Sequence, residues 1–149
     1  MCRPFAQGGQ TVSARRLIVD SDIIRDHVYG RGRPSTLRMA LNGWFCYTTV
    51  FNVIELFARA ASRREERAIE DALSGMKLLG LNARNAKQYA MLRRTSPRAG
   101  SWAILVAGLC RETGLPLLTG RPRRYSRVRG LKMIPPAELR SLRRRGGEK

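Results

Sequence analysis

Leu17-Ile18-Val19, a short apolar run ending on Asp20-Ser21-Asp22, constrains the fold more than any other stretch of the chain. A run so short and so rich in β-branched residues suits a strand covered on both faces, the environment of an inner strand in a parallel sheet. Asp and Ser oxygens accept from the free N–H groups of a helix's first turn, so the acidic triplet predicts a helix immediately afterwards. Parallel strands are joined by crossovers, so the rest of the chain must supply further strand and helix pairs to cover this one.

It supplies them in order. Residues 30 to 35, Gly-Arg-Gly-Arg-Pro-Ser, are a breaker cluster, after which Thr36 to Leu41 predicts a short helix before Asn42-Gly43, and Phe45 to Val50 a second strand. Val53, Ile54, Phe57, Ala58 and Ala61 keep helical spacing, which places Glu55 in the first turns of a helix after strand two. The alternating signs of residues 63 to 73 read as a solvent-facing helix. Met76 to Leu81 predicts a third strand and Ala83 to Arg94 a helix. Ser101 to Glu112 predicts an apolar helix stopped by Gly114, Leu115 to Thr119 a fourth strand, and Leu131 to Ile134 a short fifth. The expectation is an α/β layer fold with a mostly parallel sheet, in which ligands gather at the carboxyl ends of the strands. Asp20, the Glu55 helix, the start of the Ser101 helix and the turn from Thr119 to Arg121 would converge there.

At 149 residues and 43% hydrophobic content the chain predicts one core, with a flexible leader over 1–15, a folded domain over 16–136 and a basic tail over 137–149. The Arg143-Arg144-Arg145-Gly146-Gly147 run is expected to be disordered without a partner. No apolar stretch approaches the roughly 20 residues of a spanning helix, and no apolar segment with a small-residue cleavage site follows Arg3, so the expectation is a cytoplasmic protein without a membrane role. Cys2, Cys46 and Cys110 form no C-x-x-C pair and have only His27 to join them, which argues against zinc. Cys46 and Cys110 read as small core residues, Cys2 as an exposed thiol, and His27 as an exposed helix residue.

The net charge of +18, from 29 Lys and Arg against 11 Asp and Glu, calls for a polyanionic partner, with RNA or DNA ahead of lipid. Eleven basic residues lie between Thr119 and Lys149, opposed only by Glu138 and Glu148, and no acid occurs between Asp71 and Glu112. Arginine forks match phosphate oxygens, and the candidate RNA-binding residues are Arg93, Arg94, Arg98, Arg121, Arg123, Arg124, Arg127 and Arg129. Tyr125, set among them, either stacks on an unpaired base or packs in the core.

Four segments carry a family resemblance. Val19-Asp20-Ser21-Asp22 ends the first strand. Thr48-Thr49-Val50-Phe51-Asn52-Val53-Ile54-Glu55 joins a threonine-bearing strand to a glutamate-bearing helix. An apolar helix runs into Gly114-Leu115-Pro116-Leu117-Leu118-Thr119, and Tyr125 precedes the last strand. In this order the segments resemble the PIN-domain nucleases of the VapC toxin type, over about residues 17 to 135. The resemblance implies a PIN-like three-layer α/β/α fold with a central, mostly parallel sheet of four to five strands. It also implies a Mg²⁺- or Mn²⁺-dependent endoribonuclease site, with Asp20 and Glu55 as catalytic residues and Asp20, Asp22 and Glu55 as metal ligands. A homodimer and a small antitoxin-like protein partner follow from the same resemblance.

The chemistry departs from that pattern. Active relatives place acids at the start of the third conserved helix and often in the turn after strand four, where this chain has Ser101, Ala103 and Arg121. Asp22 with Ser21 is expected mainly to cap the first helix. Arg121 either belongs to the basic surface or replaces the metal by pairing with Asp20 or Glu55. Three readings follow: an RNA-binding PIN-like protein whose nuclease activity is weakened or lost, an active endoribonuclease toxin of a toxin-antitoxin pair, and a non-catalytic protein-interaction module.

Overall fold

The computed structural model describes residues 15–30 and 34–146, so the leader up to residue 14, Cys2, Arg31 to Arg33 and the Gly147 end of the basic run lie outside the described residues. In chain order the elements are β1 (Arg16–Val19), α1 (Ser21–Val28), α2 (Thr36–Gly43), β2 (Phe45–Thr49), α3 (Val50–Arg59), α4 (Arg63–Leu73) and β3 (Lys77–Leu79). A 3-10 turn over Ala83–Asn85 leads into α5 (Ala86–Thr95), followed by α6 (Ser101–Thr113), β4 (Leu117–Leu118), α7 (Pro122–Tyr125), β5 (Met133–Ile134) and α8 (Pro136–Gly146). The five strands form one parallel sheet in the order β3-β2-β1-β4-β5. Helices cover both faces, giving the PIN-like three-layer α/β/α fold.

The inner strand is the one the sequence singles out. Leu17, Ile18 and Val19 are 0% exposed, and burying each such side chain contributes roughly 1.5–3 kcal/mol. Their alternation sorts the two layers: Leu17 and Val19 join Ile24, Leu37, Leu56, Ile69 and Leu139 on one side. Ile18 joins Ala103, Val106, Cys110, Leu117 and Tyr125 on the other. Both Cys46 and Cys110 are buried, and burial pushes each thiol up to about 12, in keeping with inert core residues. On the second layer α5 meets α6 where Gly108 leaves room for the Tyr89 ring. Gly114 stops α6 with a φ of 70°, the left-handed conformation that the sequence assigns to it.

Two expectations are corrected here and one unforeseen turn is added. The basic tail is not a free tail over its described part: residues from Pro136 form α8, and Leu139, 1% exposed, is seated in the main core. Its apolar period is too sparse among arginines to read as a helix from sequence, but a single leucine inserted against α2 anchors it. The turn α7, started by Pro122, also went unpredicted, being only one turn long. His27 is half-buried, with Nδ1 at 2.6 Å from the Ser35 hydroxyl, and burial together with the charge of Arg38 lowers its pKa.

Candidate functional site

The chain lays β2 and then β3 on one side of β1, and afterwards crosses to lay β4 and β5 on the other. The carboxyl ends of β1 and β4 therefore flank a switch point, where loops diverge and leave a crevice. Asp20 follows β1 directly and Thr119 follows β4 directly, so both reach that crevice by backbone position alone.

Asp20 is 1% exposed and caps α1 by accepting from the backbone N–H of Ser21 at 2.9 Å. The same Oδ1 accepts from Tyr125 Oη at 2.9 Å and Asn52 Nδ2 at 3.2 Å, while Oδ2 accepts from Thr119 Oγ1 at 2.8 Å. Four neutral donors thus share one buried carboxylate, and this is how a charge is kept out of water without a counter-ion. Each donor is itself held. Thr49 caps α3 through the Asn52 backbone N–H at 3.2 Å and donates to Asn52 Oδ1 at 2.9 Å, which leaves the Asn52 amide nitrogen facing Asp20. Asn52 Nδ2 and Thr48 Oγ1 also donate to the Val19 carbonyl, at 3.1 Å and 2.8 Å, tying β2 and α3 to the end of β1. Tyr125 is 0% exposed, and burial plus the Asp20 charge drive its phenol pKa far upward, so it stays a donor.

Glu55, one turn beyond Asn52, has a different partner. Arg124 Nη1 donates to Oε1 at 3.0 Å and to Oε2 at 3.2 Å, Ser21 Oγ donates to Oε2 at 2.8 Å, and Arg59 Nη2 stands 3.9 Å away. Burial works to raise the Glu55 carboxyl, but the hydrogen bonds from Arg124 and Ser21 and the charges of both arginines outweigh it and hold the pKa below its usual value. Asp22 is 7% exposed and its Oδ2 accepts from the Gly120 N–H at 2.9 Å. Burial and the neighbouring Asp20 charge push it up to about 6, against the pull of the Gly120 N–H. Its Oδ1 is buried with no hydrogen-bond partner among the described residues. Asp20, rather than Asp22, is the helix cap.

Other sequence candidates separate from this core. Arg121 is exposed; its backbone N–H donates to Thr119 Oγ1 at 3.0 Å, and its side chain acts on the site only as a charge that pulls the Asp22 pKa downward, outweighed by burial and Asp20. Of the two readings of Arg121, the structure favours the basic surface; the ion pair is made by Arg124, because a Pro-started turn brings residue 124 to Glu55 and Tyr125 to Asp20. Ser101 is exposed at the start of α6, whereas Ala103 is buried in the cluster that holds Tyr125. Arg94, Arg98, Arg123, Arg127 and Arg129 are exposed, and Arg93 is exposed but donates through Nη1 to the Ala99 carbonyl at 2.6 Å. Tyr125 as a base-stacking residue is ruled out by its burial. Sequence reasoning brought the turn from Thr119 to this crevice without giving Thr119 its role as a donor to Asp20, and missed Ser21 as a partner of Glu55.

A divalent ion fits this arrangement poorly. Asp20 is saturated by donors, Glu55 is neutralised by a fixed positive charge, and among the described residues no three His, Cys, Asp or Glu side chains group as a ligand set. Of the site's carboxylate oxygens among the described residues, Asp22 Oδ1 is the one buried without a hydrogen-bond partner. Among the described residues no helix is long and apolar enough to cross a membrane.

Comparison with known structures gives the same fold. A chain of VapBC2 from Rickettsia felis, solved bound to a DNA fragment from their promoter, superposes with a TM-score of 0.71 at 13% identity, covering 80% of this chain and 98% of that one. DNA-bound VapBC from Salmonella typhimurium gives a TM-score of 0.67 at 18% identity, covering 83% and 98%. A toxin-antitoxin complex from Klebsiella pneumoniae gives 0.64 at 17%, covering 80% and 97%. No protein-family model matches the chain, and no curated protein matches it by sequence.

Proposed function

We propose that this chain is a VapC-like RNA-binding protein of the PIN fold in which metal-dependent ribonuclease activity is weakened or lost. The observation that carries the reading is Glu55 held by Arg124 at 3.0 Å and 3.2 Å, a positive side chain standing where the resemblance calls for a cation. A guanidinium neutralises a carboxylate but neither lowers the pKa of a bound water nor bridges to a phosphoryl oxygen as an open metal does. The basic surface supports the RNA partner, since Arg94, Arg98, Arg123, Arg127 and Arg129 remain exposed for phosphate contacts. The proposal includes a small antitoxin-like protein partner, supported by the toxin-antitoxin complexes that share the fold, and a homodimer.

One observation favours a second reading, an active Mg²⁺- or Mn²⁺-dependent endoribonuclease: Asp22 Oδ1 is a buried carboxylate oxygen without a donor, and such an acceptor suits a cation. The test is cleavage of a labelled structured RNA in Mg²⁺ or Mn²⁺ by wild type and Asp20→Ala, with binding followed in the same tubes. Binding without cleavage by either protein is the expected result. Cleavage by wild type that disappears in Asp20→Ala would overturn the pseudonuclease reading and establish the active one.

A further inference from the structure

Trp102 is a large aromatic side chain left 43% exposed at the second position of α6. Its neighbour is Phe51, with ring centroids 5.8 Å apart and planes at 65°. One edge-on contact fixes the indole while covering at most one of its faces. Phe51 and Glu55 are four residues apart on α3 and so share one helix face, about one turn apart. Glu55 in turn holds Arg124. Ile54, 48% exposed on the same helix, extends the apolar ledge. On the α6 side there is no acid in the first turn and Gly100 supplies no side-chain cap to the leading N–H groups, while on the α3 side the acid Glu55 is paired with Arg124.

We propose that Trp102, supported by Phe51, is a stacking platform for an unpaired base of a single-stranded nucleic acid whose phosphates lie along the neighbouring arginines. An exposed indole four residues after the exposed Arg98 matches a base beside its phosphate, and stacking accepts any base because each has a π face. A polyanion is drawn directly by the +18 charge of this chain, whereas the homodimer proposed above gains nothing from it, so the ledge is assigned to the nucleic acid. The inference deepens the RNA-binding reading and rests on it. It also gives that reading a preference for single strands that a purely phosphate-directed surface would lack.

The chain has two tryptophans, and Trp44 precedes β2 at the opposite end of the sheet. A Trp44→Phe variant therefore isolates the emission of Trp102. Titration with oligouridylate is expected to quench that emission in step with the anisotropy of a labelled strand. In the full chain Trp102→Ala should weaken single-strand binding about 5-fold to 140-fold, the range of a lost base stack, while Trp102→Phe retains part of it. The salt slope and the binding of an RNA duplex should stay unchanged. Strand binding with no quench and no effect of Trp102→Ala would overturn the platform and leave the RNA reading standing. Absence of RNA binding in wild type and every variant would overturn both. A Trp102→Ala variant that changes sedimentation mass instead of strand affinity would assign the ledge to a protein contact and overturn the platform.

Discussion

Arg124→Ala removes the one guanidinium that closes on Glu55, and its cost follows from the geometry. Arg124 Nη1 reaches both carboxylate oxygens, at 3.0 Å and 3.2 Å, with side chains 24% and 15% exposed, so the pair is neither open to solvent nor sealed from it. Hydrogen bonds to charged groups contribute about 1.5–3 kcal/mol. Glu55 keeps the Ser21 hydroxyl and the distant Arg59 after the change, which places the expected loss near the lower end, about 2 kcal/mol. Urea unfolding of wild type, Arg124→Ala, Glu55→Gln and the double variant at neutral pH should give a coupling of about 1–2 kcal/mol. The pH dependence has a definite sign. A glutamate held below its usual 4.5 in the folded state contributes stability that is present above that value and lost as pH falls through the folded pKa. The gap between wild type and Arg124→Ala should therefore narrow in acid. Coupling below about 0.3 kcal/mol, or a gap that persists when Glu55 is protonated, would refute the ion pair as the substitute for a metal.

Asp22→Asn tests the opposite situation. With the folded carboxyl at about 6 against an ordinary 3.8, the fold holds a proton that the unfolded chain has released, so stability falls as pH rises between those values. The asparagine variant should be more stable at neutral pH by up to about 3 kcal/mol and lose that advantage in acid, as read by denaturant midpoints. Gly108→Ala would drive a Cβ into the Tyr89 ring, and the displaced ring should cost about 1–3 kcal/mol in the same assay. Leu139→Ala should cost about 2–5 kcal/mol if α8 is anchored in the core, and nothing if residues beyond 136 hang free.

The sheet was legible because burial on both faces leaves a strong mark: Leu17 to Val19 and Leu117-Leu118 admit few other environments. Asp20 was legible for the same reason, as the residue that such a strand must deliver to the carboxyl edge. The identity of the arginine was not. Arg121 and Arg124 are three residues apart in a basic run, and only the Pro122 turn decides which of them points at Glu55. Nor does hydrophobic spacing mark the donors on Asp20, since Asn52, Thr119 and Tyr125 come from separate elements and meet only when the sheet closes. The helix α8 escaped because a single buried leucine among arginines carries little periodic signal.

Two of the hydrogen bonds that Asp20 accepts span most of the chain: Thr119 lies 99 residues away and Tyr125 lies 105. A ribosome adding about 5–20 residues per second brings out Asp20 about 5 to 20 seconds before either partner exists. During that interval β1 has an unpaired side where β4 will later insert, and its carboxylate has only local donors. The nascent chain thus carries an unpaired strand edge next to a solvated acid, and that acid keeps the exposed strand end charged until β4 and the turn after it emerge to seal it.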